Sequence, residues 1–256
     1  MSSPIEPRQR KDRCITVYGR RAVLEALRDP DLEVAGVTVS DAGGAVVNEV
    51  KKSARERGVE LREASGHRVS LISGNGRQDQ GVVADVVAPE MRALTDLLAE
   101  LERDPSRGQR LLLVDGVTTP GNLGLIIRSA TAAGIDGIVV PRRGTAAIDP
   151  QVVKASAGTA FRSPILRTPN APDALSELTD AGFSIVGLEA GATTSLWEMS
   201  LPDRLVFLVG GEHEGASEKA KAFAHSWVSV PMPGDVESLN VACATTLVAF
   251  EIARRG

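Results

Sequence analysis

Cysteine is scarce in this chain. Only Cys14 and Cys243 occur among 256 residues, far apart and in no metal-ligand spacing. That pattern argues against a disulfide framework and against a zinc site. Aromatic residues make up 3%, and Tyr18 is the only one before Phe161, so the base-stacking platforms of RRM and OB domains are not available. The three histidines, His67, His213 and His225, form no HExxH pattern, and no metal cofactor is expected. No stretch approaches the roughly 18 uninterrupted apolar residues of a membrane-spanning helix, so no membrane partner is expected. The opening MSSPIEPRQRKDR is polar and basic without an apolar segment, which is unlike a secretory signal and sets a cytoplasmic expectation. A dinucleotide-binding G-x-G-x-x-G is missing too, because Gly74-Asn-Gly76 is followed by Asp79 where glycine is required. A Walker P-loop, internal repeats and low-complexity tracts are likewise absent.

What remains is an ordinary globular composition, with 43% hydrophobic and 24% charged residues, long enough for one large domain or two small ones. The net charge of −4 is unevenly spread: residues 1–88 hold 14 Lys/Arg against 13 Asp/Glu, and the rest hold 15 against 20. Arg8, Arg10, Lys11, Arg13, Arg20, Arg21 and Arg28 crowd the start, and a local basic face can bind phosphates on an acidic protein.

Two alternations of strand and helix follow. In the first, 17–28 (VYGRRAVLEALR) and 45–57 (AVVNEVKKSARER) have helical spacing, while 34–39, 59–62 and 82–87 read as strands. In the second, strands are expected at 111–117, 137–140, 163–167, 183–189, 205–210 and 227–232, with helices at 122–133, 150–157, 171–181, 216–224 and 238–254. The class is α/β. The expected organisation is a basic flexible tail at 1–13, a small domain at 14–88, a linker at 89–108 that contains a helical stretch, LTDLLAELER, and a larger domain at 109–256. Runs such as LLLV and LVFLV suit a parallel sheet buried on both faces. Ligands of such sheets bind beyond the carboxyl ends of the strands.

Three loops at those ends hold the unusual residues. In the first, Pro120-Gly121 makes a turn, Asn122 is the expected helix N-cap, and Arg128 emerges from an apolar helix. An arginine there is either pinned by a salt bridge or aimed at a ligand. In the second, Gly210 and Gly211 let a ligand approach the backbone, and Glu212 follows, as a binding carboxylate or a solvent-facing acid in a Gly-rich turn. In the third, Ser238 is the expected N-cap of an almost wholly apolar helix, and Asn240 in its first turn needs hydrogen bonds.

Taken together, GNLGLIIR, GGEHEG and VPMPGDVESLNVACAT resemble the three ordered motifs of the SpoU/TrmH family of RNA 2′-O-ribose methyltransferases, of the SPOUT superfamily. Upstream, VYGRRAVLEAL and QDQGVVADV resemble the N-terminal substrate-binding domain of its bacterial 23S rRNA guanosine-2′-O-methyltransferase subgroup. The resemblance implies a parallel sheet with a deep trefoil knot, preceded by an L30e-like α/β domain. It implies a homodimer, S-adenosylmethionine (AdoMet) as methyl donor and structured RNA as substrate, rRNA ahead of tRNA. It assigns catalytic roles to Asn122, Arg128, Glu212, Ser238 and Asn240, and cofactor contacts to Leu188, Val209, Gly210, Gly211, Val230, Met232 and Leu239. Tyr18, Arg20 and Arg21 are the expected RNA-binding residues. His213 and Asp79 depart from the common pattern. A Rossmann enzyme, a pure RNA-binding module and a non-catalytic family member are the competing readings.

Overall fold

The structure is a computed structural model that describes residues 12–211, 214–232 and 238–255. The chain divides into two compact units, one holding the residues up to Pro89 with Ile148–Val153, the other Glu90–Ala147 with the residues from Lys154.

Unit 1 contains β1 (Cys14–Tyr18), α1 (Arg20–Arg28), β2 (Val34–Ser40), α2 (Ala45–Arg57), β3 (Leu61–Ala64), α3 (Gly66–Ser73) and β4 (Val82–Val87). Its sheet runs β1-β4-β2-β3, with β4 antiparallel to both neighbours and β2 parallel to β3. The stretch expected as one helix at 17–28 begins in fact as a strand. Ile15, Val17 and Tyr18 pack inward, and Gly19 breaks the chain at φ +80° before α1 starts. Helix α1 buries Val23, Leu24, Ala26 and Leu27 and turns its charged residues outward. Its carbonyl end is capped by Arg57, which donates to Ala26 O, Leu27 O, Asp29 O and Leu32 O. A fixed guanidinium fork thus satisfies carbonyls that a helix end leaves open.

Unit 2 contains β5 (Arg92–Ala93), α4 (Leu94–Arg103), β6 (Gln109–Val114), α5 (Pro120–Ala132), β7 (Gly137–Pro141), β8 (Ile165–Thr168), α7 (Ala171–Asp180), β9 (Ser184–Leu188), β10 (Thr194–Ser195), β11 (Arg204–Val209), α8 (Glu218–Lys221), β12 (Ser226–Ser229) and α9 (Val241–Arg255). A short α6 (Pro150–Ala155) starts among residues that group with unit 1. The eight strands run β10-β12-β9-β11-β6-β7-β8-β5, and every pair is parallel. Leu111, Leu112 and Leu113 are fully buried, as expected where helices cover both faces of a parallel sheet. The residues expected as a linker are structural instead: Leu94, Leu97 and Leu101 of α4 belong to the core cluster of unit 2. Beyond β6 the order runs to β7 and β8 on one side and to β11 and β9 on the other. The switch between β6 and β11 is where a crevice opens in such a sheet.

No helix among the described residues is long and apolar enough to cross a membrane.

Candidate active site at the strand ends of unit 2

The crevice is built backbone on backbone. The Asp115 N–H donates to Val209 O at 2.9 Å, and the buried Asp115 carboxylate accepts from Ser217 N at 2.8 Å. Gly211 and Gly215 exchange backbone hydrogen bonds of 2.9 and 3.2 Å. A Cβ on Gly211 would lie 2.2 Å from Gly116 O, and one on Gly210 would lie 2.0 Å from Ala216 N. Glycine is required at both positions because the loops after β6 and β11 pack main chain against main chain.

A cavity of about 550 Å³ lies beyond the carboxyl ends of β9, β11 and β12, walled by the segments that follow them and by the start of α9. All seven residues expected to contact a cofactor line it: Leu188, Val209, Gly210, Gly211, Val230, Met232 and Leu239. Ser238 and Asn240 line it as well. The walls also hold Glu189, Lys221 and Trp227, which sequence reasoning missed. The Trp227 ring lies across Gly187 so closely that a Cβ there would meet its Cζ3 at 2.2 Å. Only the pairing of Trp227 with Gly187 across β12 and β9 creates that fit. Lys221 Nζ donates to Glu218 at 2.8 Å, and this bond raises the lysine pKa above its ordinary value.

Asn240 is held at both ends of its amide. Its Oδ1 accepts from Ala242 N at 2.9 Å and Cys243 N at 3.4 Å, so Asn240, and not Ser238 as expected, caps α9. Its Nδ2 donates to Asn122 Oδ1 at 3.2 Å. Asn122 itself lies within the first turn of α5 rather than at its cap, because Pro120 occupies the first helical position and Thr119 precedes it. Helices α5 and α9 are tied together where Thr246 Oγ1 donates to Ser129 Oγ at 2.8 Å.

Arg128 follows Asn122 on α5, is solvent-exposed, and is not among the residues that line the cavity. Among the described residues it has no hydrogen bond or ion pair, which removes the pinning salt bridge from the described structure. Glu212 and His213 lie outside the described residues.

The RNA-binding expectations fall in unit 1 and need one correction. Tyr18 is only 7% exposed and packs with Val69 and Val83. Its hydroxyl donates to Asp149 Oδ2 at 3.1 Å and accepts from Asn75 Nδ2 at 3.2 Å. Burial raises its pKa above the ordinary tyrosine value, and no ring face is left for a base. Arg20 and Arg21 are exposed, paired with Glu49 at 2.7 Å and Glu25 at 2.8 Å. Such exposed pairs are weak and exchange readily for a phosphate. Asp79, one of the two departures from the family pattern, is buried and accepts from Ser73 Oγ and Gly81 N at 2.9 and 2.8 Å.

Known proteins account for this arrangement. The profile of the SpoU rRNA Methylase family matches residues 109–250, and that of the RNA 2′-O ribose methyltransferase substrate-binding domain matches 16–92. A 23S rRNA (guanosine-2′-O-)-methyltransferase RlmB of Xylella fastidiosa is 34% identical, over 93% of this chain and 96% of that protein. Among solved structures, the SpoU methyltransferase AviRb of Streptomyces viridochromogenes in complex with AdoMet is 26% identical with a TM-score of 0.60, covering 96% of this chain and 91% of that one. An AdoMet-bound rRNA methyltransferase of Sinorhizobium meliloti is 28% identical with a TM-score of 0.62, covering 96% and 88%. The chain belongs to the SpoU family of RNA 2′-O-ribose methyltransferases.

Proposed function

We propose that the protein transfers the methyl group of AdoMet to a ribose 2′-hydroxyl of 23S rRNA, in the cytoplasm. The observation that carries this reading is the cavity beyond the carboxyl ends of β9, β11 and β12. It is lined by all seven expected cofactor positions, and Asn240 in its wall joins Asn122 of the first motif. The fit to AdoMet rests on main chain left bare by Gly210 and Gly211 and on walls that mix apolar side chains with Glu189 and Lys221. The relative with the RlmB name supports rRNA as the target.

AdoMet supplies a methyl group already activated by its sulfonium, while a ribose hydroxyl is a poor nucleophile near neutral pH. The protein therefore has to align the two and stabilise the developing alkoxide. The Asn122–Asn240 amides, fixed by the α9 cap, orient the ribose beside the cavity, and Ser238 in the cavity wall assists them. Arg128 binds the adjacent phosphate and lends its charge to the developing oxyanion. It is not the base, because a guanidinium stays protonated in proteins; the 2′-hydroxyl proton leaves to a phosphate oxygen of the RNA or to water as the methyl group passes from sulfur to oxygen. Glu212 is assigned to the same machinery on the family resemblance and on its place in sequence directly after the cavity residue Gly211.

The purified protein, given labelled AdoMet, should methylate in vitro transcribed 23S rRNA at a 2′-oxygen and leave a tRNA pool unlabelled. Label in tRNA alone would move the target. AdoMet binding with no transfer to either RNA would make the protein a non-catalytic member of its family.

The same reading includes a homodimer. Helix α5 exposes Gly121, Leu125, Arg128 and Ala132, and α9 exposes Cys243, Leu247, Phe250 and Arg254, each at helical spacing. Leu125, Leu247 and Phe250 are 44, 37 and 50% exposed on two helices that pack together. A two-fold partner would cover that surface and enclose Arg128 within it. Light scattering should give twice the 26.9 kDa chain mass, and Leu247→Glu with Phe250→Glu should halve it. A wild-type monomer at micromolar concentration would refute the dimer. The reading extends to a trefoil knot around the cavity and an L30e-like unit 1. The close main-chain packing of the loops at Gly116 and Gly211 and the mixed four-stranded sheet support these two features.

A further inference from the structure

Unit 1 carries a surface that its sequence did not announce. Helix α3 and the loop at 74–81 hold two exposed arginines, Arg68 and Arg77, that have no carboxylate partner among the described residues. The contrast is with Arg20, Arg21, Arg28 and Arg62, each of which sits within salt-bridge distance of a glutamate, and with Arg57, which is spent on carbonyls. Asp79 is the only acid between Gly66 and Gly81, and it is turned inward, 4% exposed.

The same element bears Leu71, 61% exposed, and Ile72, 37% exposed. They are the only large apolar side chains that unit 1 exposes among the described residues. Free positive charge and free apolar surface therefore coincide on one short helix and its following loop.

That loop is held in one shape. Asn75 O accepts from Gln78 N and Asp79 N at 2.9 and 3.1 Å, and Asn75 N donates to Ser73 Oγ at 3.0 Å. The Asn75 side chain is anchored on the buried Tyr18 hydroxyl. A Cβ on Gly76 would lie 2.8 Å from Ser70 Oγ, so the loop folds tightly onto α3. Its far end meets the start of α1, where Arg20 N donates to Gln80 Oε1 at 2.9 Å. Arg20 and Arg21 therefore border the same surface.

We infer that α3 and the 74–81 loop form the RNA-contacting face of unit 1. Arg68 and Arg77 bind phosphates of the RNA backbone, and Leu71 packs against sugar or base. The inference rests on the reading that the substrate is RNA. The occupant is a phosphodiester backbone because the face offers guanidinium forks, which match phosphate geometry, and no Phe, Tyr or Trp ring for stacking, its one exposed ring being the His67 imidazole. It reads structured RNA by shape and charge. Tyr18 is a positioning residue here, acting through Asn75.

The test uses the full chain and in vitro transcribed 23S rRNA over a series of salt concentrations. Arg68→Ala with Arg77→Ala should weaken RNA binding by about tenfold or more and lower the slope of log K against log salt by about two. AdoMet binding and the melting curve should stay unchanged. Lys52→Ala with Arg55→Ala removes the same charge from exposed sites on α2 and should change RNA affinity less than threefold, on the order of a background effect. Leu71→Ser, which alters no charge, should weaken binding without changing the salt slope. Equal losses from the two double variants, or no loss from the first, would overturn the inference. If the wild-type protein failed to bind or methylate the RNA at all, the functional reading would fall first, and the two failures are told apart by that control.

Discussion

Gly210→Ala should weaken cofactor binding about 100-fold while most of the fold survives. The added Cβ would lie 2.0 Å from Ala216 N, 2.2 Å from Gly215 C and 2.7 Å from Gly215 Cα. All three are main-chain atoms, so no side-chain rotation relieves the clash, and the loop from 210 to 216 has to move. That loop forms part of the cavity wall. Overpacking of this kind costs about 1–3 kcal/mol or more. Its expected result is a loss in AdoMet affinity of about 100-fold, equivalent to about 2.7 kcal/mol. Gly191→Ala is the control, since nothing lies within 4 Å of a Cβ there, and it should bind AdoMet like the wild type. Calorimetric titration of both variants beside their melting curves decides the matter. Wild-type affinity in a folded Gly210→Ala protein would show that the cofactor does not use this loop.

Arg128→Ala should do the opposite: leave binding and folding alone and remove the chemistry. The side chain is exposed and has no partner among the described residues, so its loss breaks no described contact and the melting temperature should hold. A lost charge-assisted contact to a developing oxyanion costs about 3–4 kcal/mol, roughly two to three orders of magnitude in rate. Arg128→Lys should recover little, because a point charge does not reproduce the planar fork that grips a phosphate. Transfer of labelled methyl groups to 23S rRNA is the readout, with an AdoMet titration alongside. Near wild-type transfer by a folded Ala variant would remove Arg128 from the mechanism.

The two variants separate the loops that shape the cavity from the helix that carries the expected charge. They also mark how far sequence reading reached. Gly210, Gly211, Val230 and Leu239 were legible as cavity-lining residues because their segments follow apolar strands, where a parallel sheet opens its crevice, and because their motifs resemble a known family. The placement of Asn122 and Asn240 was half legible. Both polar residues stood out in apolar surroundings, but sequence placed each at or near a helix cap and did not pair them. Their contact joins positions 118 residues apart. Tyr18 was misplaced for a related reason. A lone aromatic among arginines suits a binding face, yet alternation along β1 turns it into the core, where Asn75 and Asp149 take its hydroxyl.

By itself, the sequence determined the α/β class, most of the strands and helices, and the loops at the strand ends whose residues line the cavity. These depend on local quantities: hydrophobic period, glycine at strand ends and motif spacing. Tertiary structure alone decided that α4 belongs to the core and is not a linker, that Asn240 caps α9 while holding Asn122, and that Gly210 has no room for a side chain. It alone decided that Arg68 and Arg77 stand free while Arg20 and Arg21 are paired. Each of these is set by which distant segment arrives beside the residue, and pairing across a sheet or between helices is a property of the folded chain that no local window contains.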